Sequence, residues 1–149
     1  YTPTHRRVSA CTLSSTRALV AYGPIDAFGE AVLVTVAGVT ASKGVALPFR
    51  SANMDDVHVV PLGTTKKALA VYRDEADGGL AKAQEVDVYD DYNGASYALG
   101  PGSLVTFTSF RAQNLVAIGL NGTAVLAAYR AMDGSEQAHA VILGAVFNE

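Results

Sequence analysis

The residues best suited to chemistry lie together in Asp87-Val-Tyr-Asp-Asp-Tyr-Asn-Gly-Ala-Ser-Tyr97, where three tyrosines alternate with three aspartates and an asparagine. Asp87, Asp90, Asp91 and Asn93 offer the hard oxygens that calcium takes. Their spacing does not meet Asp-x-[Asp/Asn]-x-[Asp/Asn]-Gly, and no bidentate glutamate accompanies them. A solvated loop is therefore expected, with no metal and no cofactor. Tyr89, Asp90, Asp91, Tyr92, Asn93 and Tyr97 suit a different ligand, since aromatic faces flanked by acceptors form a platform for a sugar ring. The competing reading has the alternating tyrosines packing on a sheet.

Elsewhere catalytic groups are sparse. His5, His58 and His139 each fall in or beside runs that read as strands, the ordinary place for a structural histidine. Cys11 is the single cysteine, which excludes an intramolecular disulfide and a Cys-based zinc site within the chain. It sits in the alternating run Val8 to Leu13, and no base accompanies it to activate a thiol. Neither a Gly-x-Ser-x-Gly elbow nor a His-Glu-x-x-His pair occurs, and the glycines sit where turns are needed. No catalytic residue is assigned, and the chain reads as a non-enzyme. Asn121-Gly122-Thr123 is at once an N-glycosylation sequon and an Asn-Gly hairpin turn.

The elements that would position these residues come from an internal repeat. Val8 to Tyr22, Val57 to Tyr72 and Leu115 to Tyr129 share one plan. An alternating apolar run ends in Leu13, Leu62 or Leu120, a polar turn containing threonine follows, and a second apolar run ends in tyrosine. The tyrosines recur after 50 and then 57 residues. The runs are short and rich in Val, Leu and Thr, and the turns are Ser14-Ser15-Thr16, Gly63-Thr64-Thr65 and Asn121-Gly122-Thr123, so each unit opens with a β-hairpin. A third run follows at Glu30–Val36, Ala83–Val88 and His139–Leu143. A fourth follows in two units, at Gly44–Phe49 and Gly102–Thr108. Glu75–Glu85 and Ser135–Ala140 have helix-forming composition but are broken by glycine or too short, and are expected to be loops leading into the third strand. The longer second unit is explained by an insertion around 87–97, expected to be a loop.

Two further segments complete the pattern: Gly29-Glu-Ala-Val-Leu-Val-Thr-Val-Ala-Gly38 after Ala18-Leu-Val-Ala-Tyr22, and Tyr72-Arg73-Asp74 echoed by Tyr129-Arg130. With these, the chain resembles tandem repeats of large propeller-like surface proteins, which carry ALVAYRD…VLTV-type blades of about this length. The first unit departs from that pattern, with Gly23-Pro24 after its tyrosine. The resemblance implies β-propeller-like blades of four short antiparallel strands and carries over no ligand-binding residue. The chain is then a single all-β region, with repeats at about 8–56, 57–113 and 114–149 and the last incomplete.

Three units in 149 residues also suit a β-trefoil. Between Leu33 and Val57 lie 23 residues holding a fourth strand, whereas six follow Leu143 and seven precede Val8. Closure through the termini falls about one strand short, which favours blades completed by further blades or partner chains and leaves edge strands open to pairing. An oligomer or a piece of a larger protein is expected; the start at Tyr1 points to a processed product or a fragment.

Composition narrows the function. Half the residues are hydrophobic, so the chain folds. A net charge of −3, with His5-Arg6-Arg7 the one basic cluster, argues against nucleic acid. No apolar run reaches the roughly 18 residues of a membrane span. The expected function is a non-enzymatic structural or adhesive blade array in an extracellular or cell-surface assembly, working through protein–protein contacts. The segments after each tyrosine, Gly23–Gly29, Arg73–Leu80 and Arg130–Gln137, would form the contact surface. The alternative is a lectin-like module binding glycans through the tyrosine-rich loop 87–97.

Overall fold

The alternating runs form strands throughout. A computed structural model describes residues 7–23, 28–63, 66–90 and 97–143. Strands β1 (Arg7–Ser14), β2 (Arg17–Gly23), β3 (Phe28–Ala37) and β4 (Thr40–Ala52) make the first sheet, in chain order. Strands β5 (Met54–Pro61), β6 (Lys67–Asp74), β7 (Leu80–Asp90) and β8 (Tyr97–Thr106) make the second. Strands β9 (Ala112–Asn121), β10 (Ala124–Ala131) and β11 (Ala138–Leu143) make the third. Every ladder is antiparallel between consecutive strands. The protein is thus all-β, three meandering sheets of four, four and three strands among the described residues.

The sheets stack face on face, with the second in the middle. Leu19, Ala21, Leu33 and Phe49 of the first sheet meet Val57, Val59, Ala68, Ala70 and Tyr72 of the second in one apolar cluster. The opposite face of the second sheet, through Val60, Leu69, Val71, Ala81 and Ala83, meets Leu115, Val125, Ala127, Tyr129 and Leu143 of the third. Strand β6 is therefore covered on both sides, which is why Ala68 to Tyr72 reads as an unbroken apolar run and every one of those residues is buried. Strand β10 is covered on one side only and alternates residue by residue. The first strands of the sheets run together, β1 beside β5 and β5 beside β9, and the outer strands β4 and β8 also touch.

Four expectations are corrected. Glu75–Glu85 is not a loop throughout: a 3-10 turn spans Glu75–Asp77, with Asp74 as its N-cap and Gly78 in the left-handed conformation after it, and β7 begins at Leu80. Burial of Ala81 and Ala83 outweighs the helical preference of that composition. Ser135–Ala140 likewise enters β11 at Ala138. Nor is 87–97 a loop throughout, because Asp87–Asp90 finish β7 and Tyr97 opens β8, with Tyr89 opposite Ala98 and Asp90 opposite Tyr97. Residues 91–96 lie outside the described residues. Arg73 and Arg130, expected in variable loops, are strand residues of β6 and β10.

Candidate functional site

In the tyrosine-rich stretch, Tyr89 lies near the end of β7. Its ring covers Gly100, diagonally across the β7–β8 ladder, where any Cβ would overlap the ring. An aromatic side chain sheltering a cross-strand glycine stabilises the pair, and this accounts for both residues without a ligand. The ring remains half exposed, and its hydroxyl donates to Asp87 Oδ2 at 3.3 Å. The negative charge of Asp87 pushes the hydroxyl pKa upward. Lys67 Nζ lies 3.6 Å from Asp87 and donates to Glu85 Oε1 at 2.5 Å. A shallow depression of about 300 Å³ is lined by Lys66, Lys67, Asp87, Val88 and Tyr89. Asp90 and Tyr97 pair across the ladder. Their side chains, and the whole of Asp91, Tyr92 and Asn93, lie outside the described residues; among the described ones, the Tyr89 ring has a carboxylate and an ammonium group beside it.

A denser constellation surrounds Tyr72-Arg73-Asp74. Tyr72 faces the first sheet, with its ring 5.7 Å from that of Phe49, and burial pushes its hydroxyl up to about 12. That hydroxyl has no hydrogen-bond partner among the described residues. Arg73 faces the other way, binds Asp55, and places Nη1 3.5 Å from Asp56 and Nε 2.7 Å from Glu75. Its Nη1 also donates to the carbonyl of Ala112, the first residue of β9, at 3.2 Å. Arg7 of β1 reaches Asp55 at 3.4 Å and Asp56 at 3.2 Å, and Arg111 reaches Glu75 at 3.1 Å. Opposite charges thus alternate from the first sheet, through the second, to the entrance of the third. Asp74 caps the 3-10 turn by accepting from the Ala76 amide at 3.1 Å, and it takes Lys82 Nζ at 2.8 Å.

Asp55 and Asp56 went unnoticed in the sequence, where Met54-Asp-Asp-Val57 reads as a unit boundary. Asp56 adopts φ 50° at an irregularity in β5, between the pairs Asp55↔Arg73 and His58↔Val71. Asn114 adopts φ 52° at the matching irregularity in β9, between Gln113↔Arg130 and Val116↔Ala128. Short polar side chains tolerate that left-handed conformation. The usable signal was an Asp or Asn immediately before the first apolar run of two units.

The remaining candidates have structural surroundings. His139 stacks on Tyr129 at 5.6 Å and lies 5.8 Å from Phe110. His58 is a half-buried residue of β5, and His5 lies outside the described residues. Cys11 packs against the core between the first two sheets, where burial pushes its thiol up to about 11. Asn121 is exposed at the β9–β10 tip, its Oδ1 accepting from the Thr123 amide at 2.8 Å and hydroxyl at 3.0 Å. This is the turn geometry expected of Asn-Gly. Leu13, Pro61, Gly63, Leu120 and Asn121 border a cleft of about 370 Å³ there. Among the described residues no group of three His, Cys, Asp or Glu side chains is arranged to hold a metal ion, and no helix is long and apolar enough to cross a membrane. Against known proteins, the chain matches no protein-family model and no curated protein.

Proposed function

We propose that the chain is a non-enzymatic structural or adhesive unit of an extracellular or cell-surface assembly, built of β-propeller-like blades and working through protein–protein contacts. The observation that carries this reading is the state of the two outer sheet faces. Val116, Ile118 and Ile142 on the third sheet are 48%, 58% and 63% exposed, and Val8 on the first is 65% exposed. Contiguous apolar surface of this kind marks an interaction site. Four-stranded meanders stacked face to face are the way propeller blades pack, and the family resemblance points the same way. The test is photo-crosslinking in the native host, with a photoreactive residue at position 118 or 142. Adducts with other polypeptide chains support the reading, and their absence while a control position deep in the second sheet reacts within the chain refutes it.

A second reading, a glycan-binding module, is favoured by one observation: the half-exposed Tyr89 ring stands beside Asp87 and the Lys67 ammonium. Glycan-array binding abolished by Tyr89→Ala would select it, and an array with no signal would remove it.

A further inference from the structure

The stack has a direction. Tyr72 and Tyr129 both point toward the preceding sheet, while Leu69 and Val71, on the other face of β6, point toward the following one. In β2, Leu19 and Ala21 point toward the following sheet, which leaves Val20 and Tyr22 on the outer face of the first sheet beside Val8 and Ala10. In β10, Val125, Ala127 and Tyr129 point toward the preceding sheet, which leaves Leu126, Ala128 and Arg130 on the outer face of the third, level with Ile118 and Val116 on β9 and with Ile142 and Ala140 on β11. One end of the molecule therefore presents a tyrosine face and the other a leucine face. Inside the molecule those two kinds of face already meet twice, and both joints are apolar cores.

Resting on the blade-array reading, we infer that a second copy of this chain docks head to tail, laying the Tyr22 face of its first sheet on the Leu126 face of the third. The contact continues an interface the fold already uses. Arg130 supports it: it occupies the place of Arg73, whose guanidinium bonds the backbone at the start of the following sheet, yet it pairs here with Glu136, itself exposed. Because the two faces differ, the contact is heterologous and leaves a free face at each end, so repetition yields rings or open filaments rather than a closed dimer.

Two lysine substitutions at exposed positions test this, Val8→Lys on the tyrosine face and Ile142→Lys on the leucine face. A lysine ammonium placed in an apolar contact should weaken it at least about a hundredfold. Sedimentation velocity from micromolar to millimolar should show the unsubstituted chain growing past a dimer and each variant alone monomeric. An equimolar mixture should stop at a dimer, since it holds one intact face of each kind. Melting temperatures matching the unsubstituted chain diluted to its monomeric range show that the variants fold, and the pair Ala10→Lys and Ile118→Lys repeats the test at neighbouring sites. A chain that stays monomeric throughout overturns the inference, as does either variant alone still dimerising, which marks a symmetric contact. A monomeric chain whose positions 118 and 142 still crosslink to other proteins in the host overturns this pairing while leaving the proposed function standing.

Discussion

Cys11 gives a direct measure of whether the first sheet stays closed on the second. It lies on β1 opposite Leu19, between Ser9, whose Oγ accepts from the Val59 amide of β5 at 3.0 Å, and buried Leu13. Burial raises its pKa from 9.0 to about 11, against a smaller lowering by a backbone hydrogen bond from Leu19. At pH 8 the thiolate fraction then falls from about 10% to about 0.1%, so alkylation should slow about a hundredfold relative to the unfolded chain. The assay is iodoacetamide labelling followed by intact mass in native buffer and in urea; with a single cysteine, each mass increment reports this thiol. The same shift sets a pH dependence. The folded state holds the Cys11 proton more tightly, so its contribution to stability is complete below pH 9 and is lost as pH rises from 9 to about 11. Allowing for partial exposure, the loss is at most about 2 kcal/mol. Cys11→Ala should remove that part of the alkaline slope. A native labelling rate within about threefold of the unfolded rate would refute the reasoning, because it would mean that the first sheet opens freely or does not cover the thiol.

Four other substitutions, at three positions, probe the joints between sheets. Arg73→Met leaves Asp56, whose side chain is 5% exposed, with the half-exposed Arg7 as its remaining cation among the described residues, and should cost about 3–5 kcal/mol in urea unfolding. Arg73→Lys should recover less than half of that, since a single ammonium cannot span Asp55, Glu75 and the Ala112 carbonyl together. Tyr72→Phe removes a buried hydroxyl with no partner among the described residues and should raise stability by about 1 kcal/mol; a loss of that size would reveal a bonded hydroxyl. Gly63→Ala should cost about 1–3 kcal/mol by thermal unfolding, because Gly63 has φ 49° and a Cβ there would lie 2.5 Å from the Gly122 carbonyl oxygen.

The sequence made the hairpins legible because their signals are local. Alternation over Val8–Leu13, the Asn121-Gly122 turn and the terminal tyrosines each follow from neighbours in the chain. The second sheet was harder. Its β6 is buried on both faces, so Ala68 to Tyr72 carries no alternation, and β7 opens in Leu80-Ala-Lys-Ala-Gln, a helical composition held extended by tertiary burial. The charged connection at Arg73 was not readable, because Asp55 and Arg7 are brought to it by sheet stacking and by the irregularity at Asp56. The tyrosine-rich stretch is a different case: its local composition suggested a binding loop, and Tyr89 lies in β7 with its ring over Gly100.

Stability in a stack of similar units is approximately a sum of unit terms and interface terms, so position matters. The second sheet has two interfaces, and its β6 is buried along nearly its whole length. The first and third sheets have one each, and β2 and β10 keep a half-exposed residue at every other position. Arg7 ties the first sheet to Asp55 and Asp56, while Arg73 and Arg111 tie the second to the entrance of the third, so the charged network adds to both joints and to neither outer face. The outer sheets should therefore open first. Head-to-tail docking would give each of them its missing interface, and the copies would stabilise one another by mass action. Cys11 protection would then rise with protein concentration although Cys11 lies at an internal joint, because closing the outer face of the first sheet also restrains the face behind it.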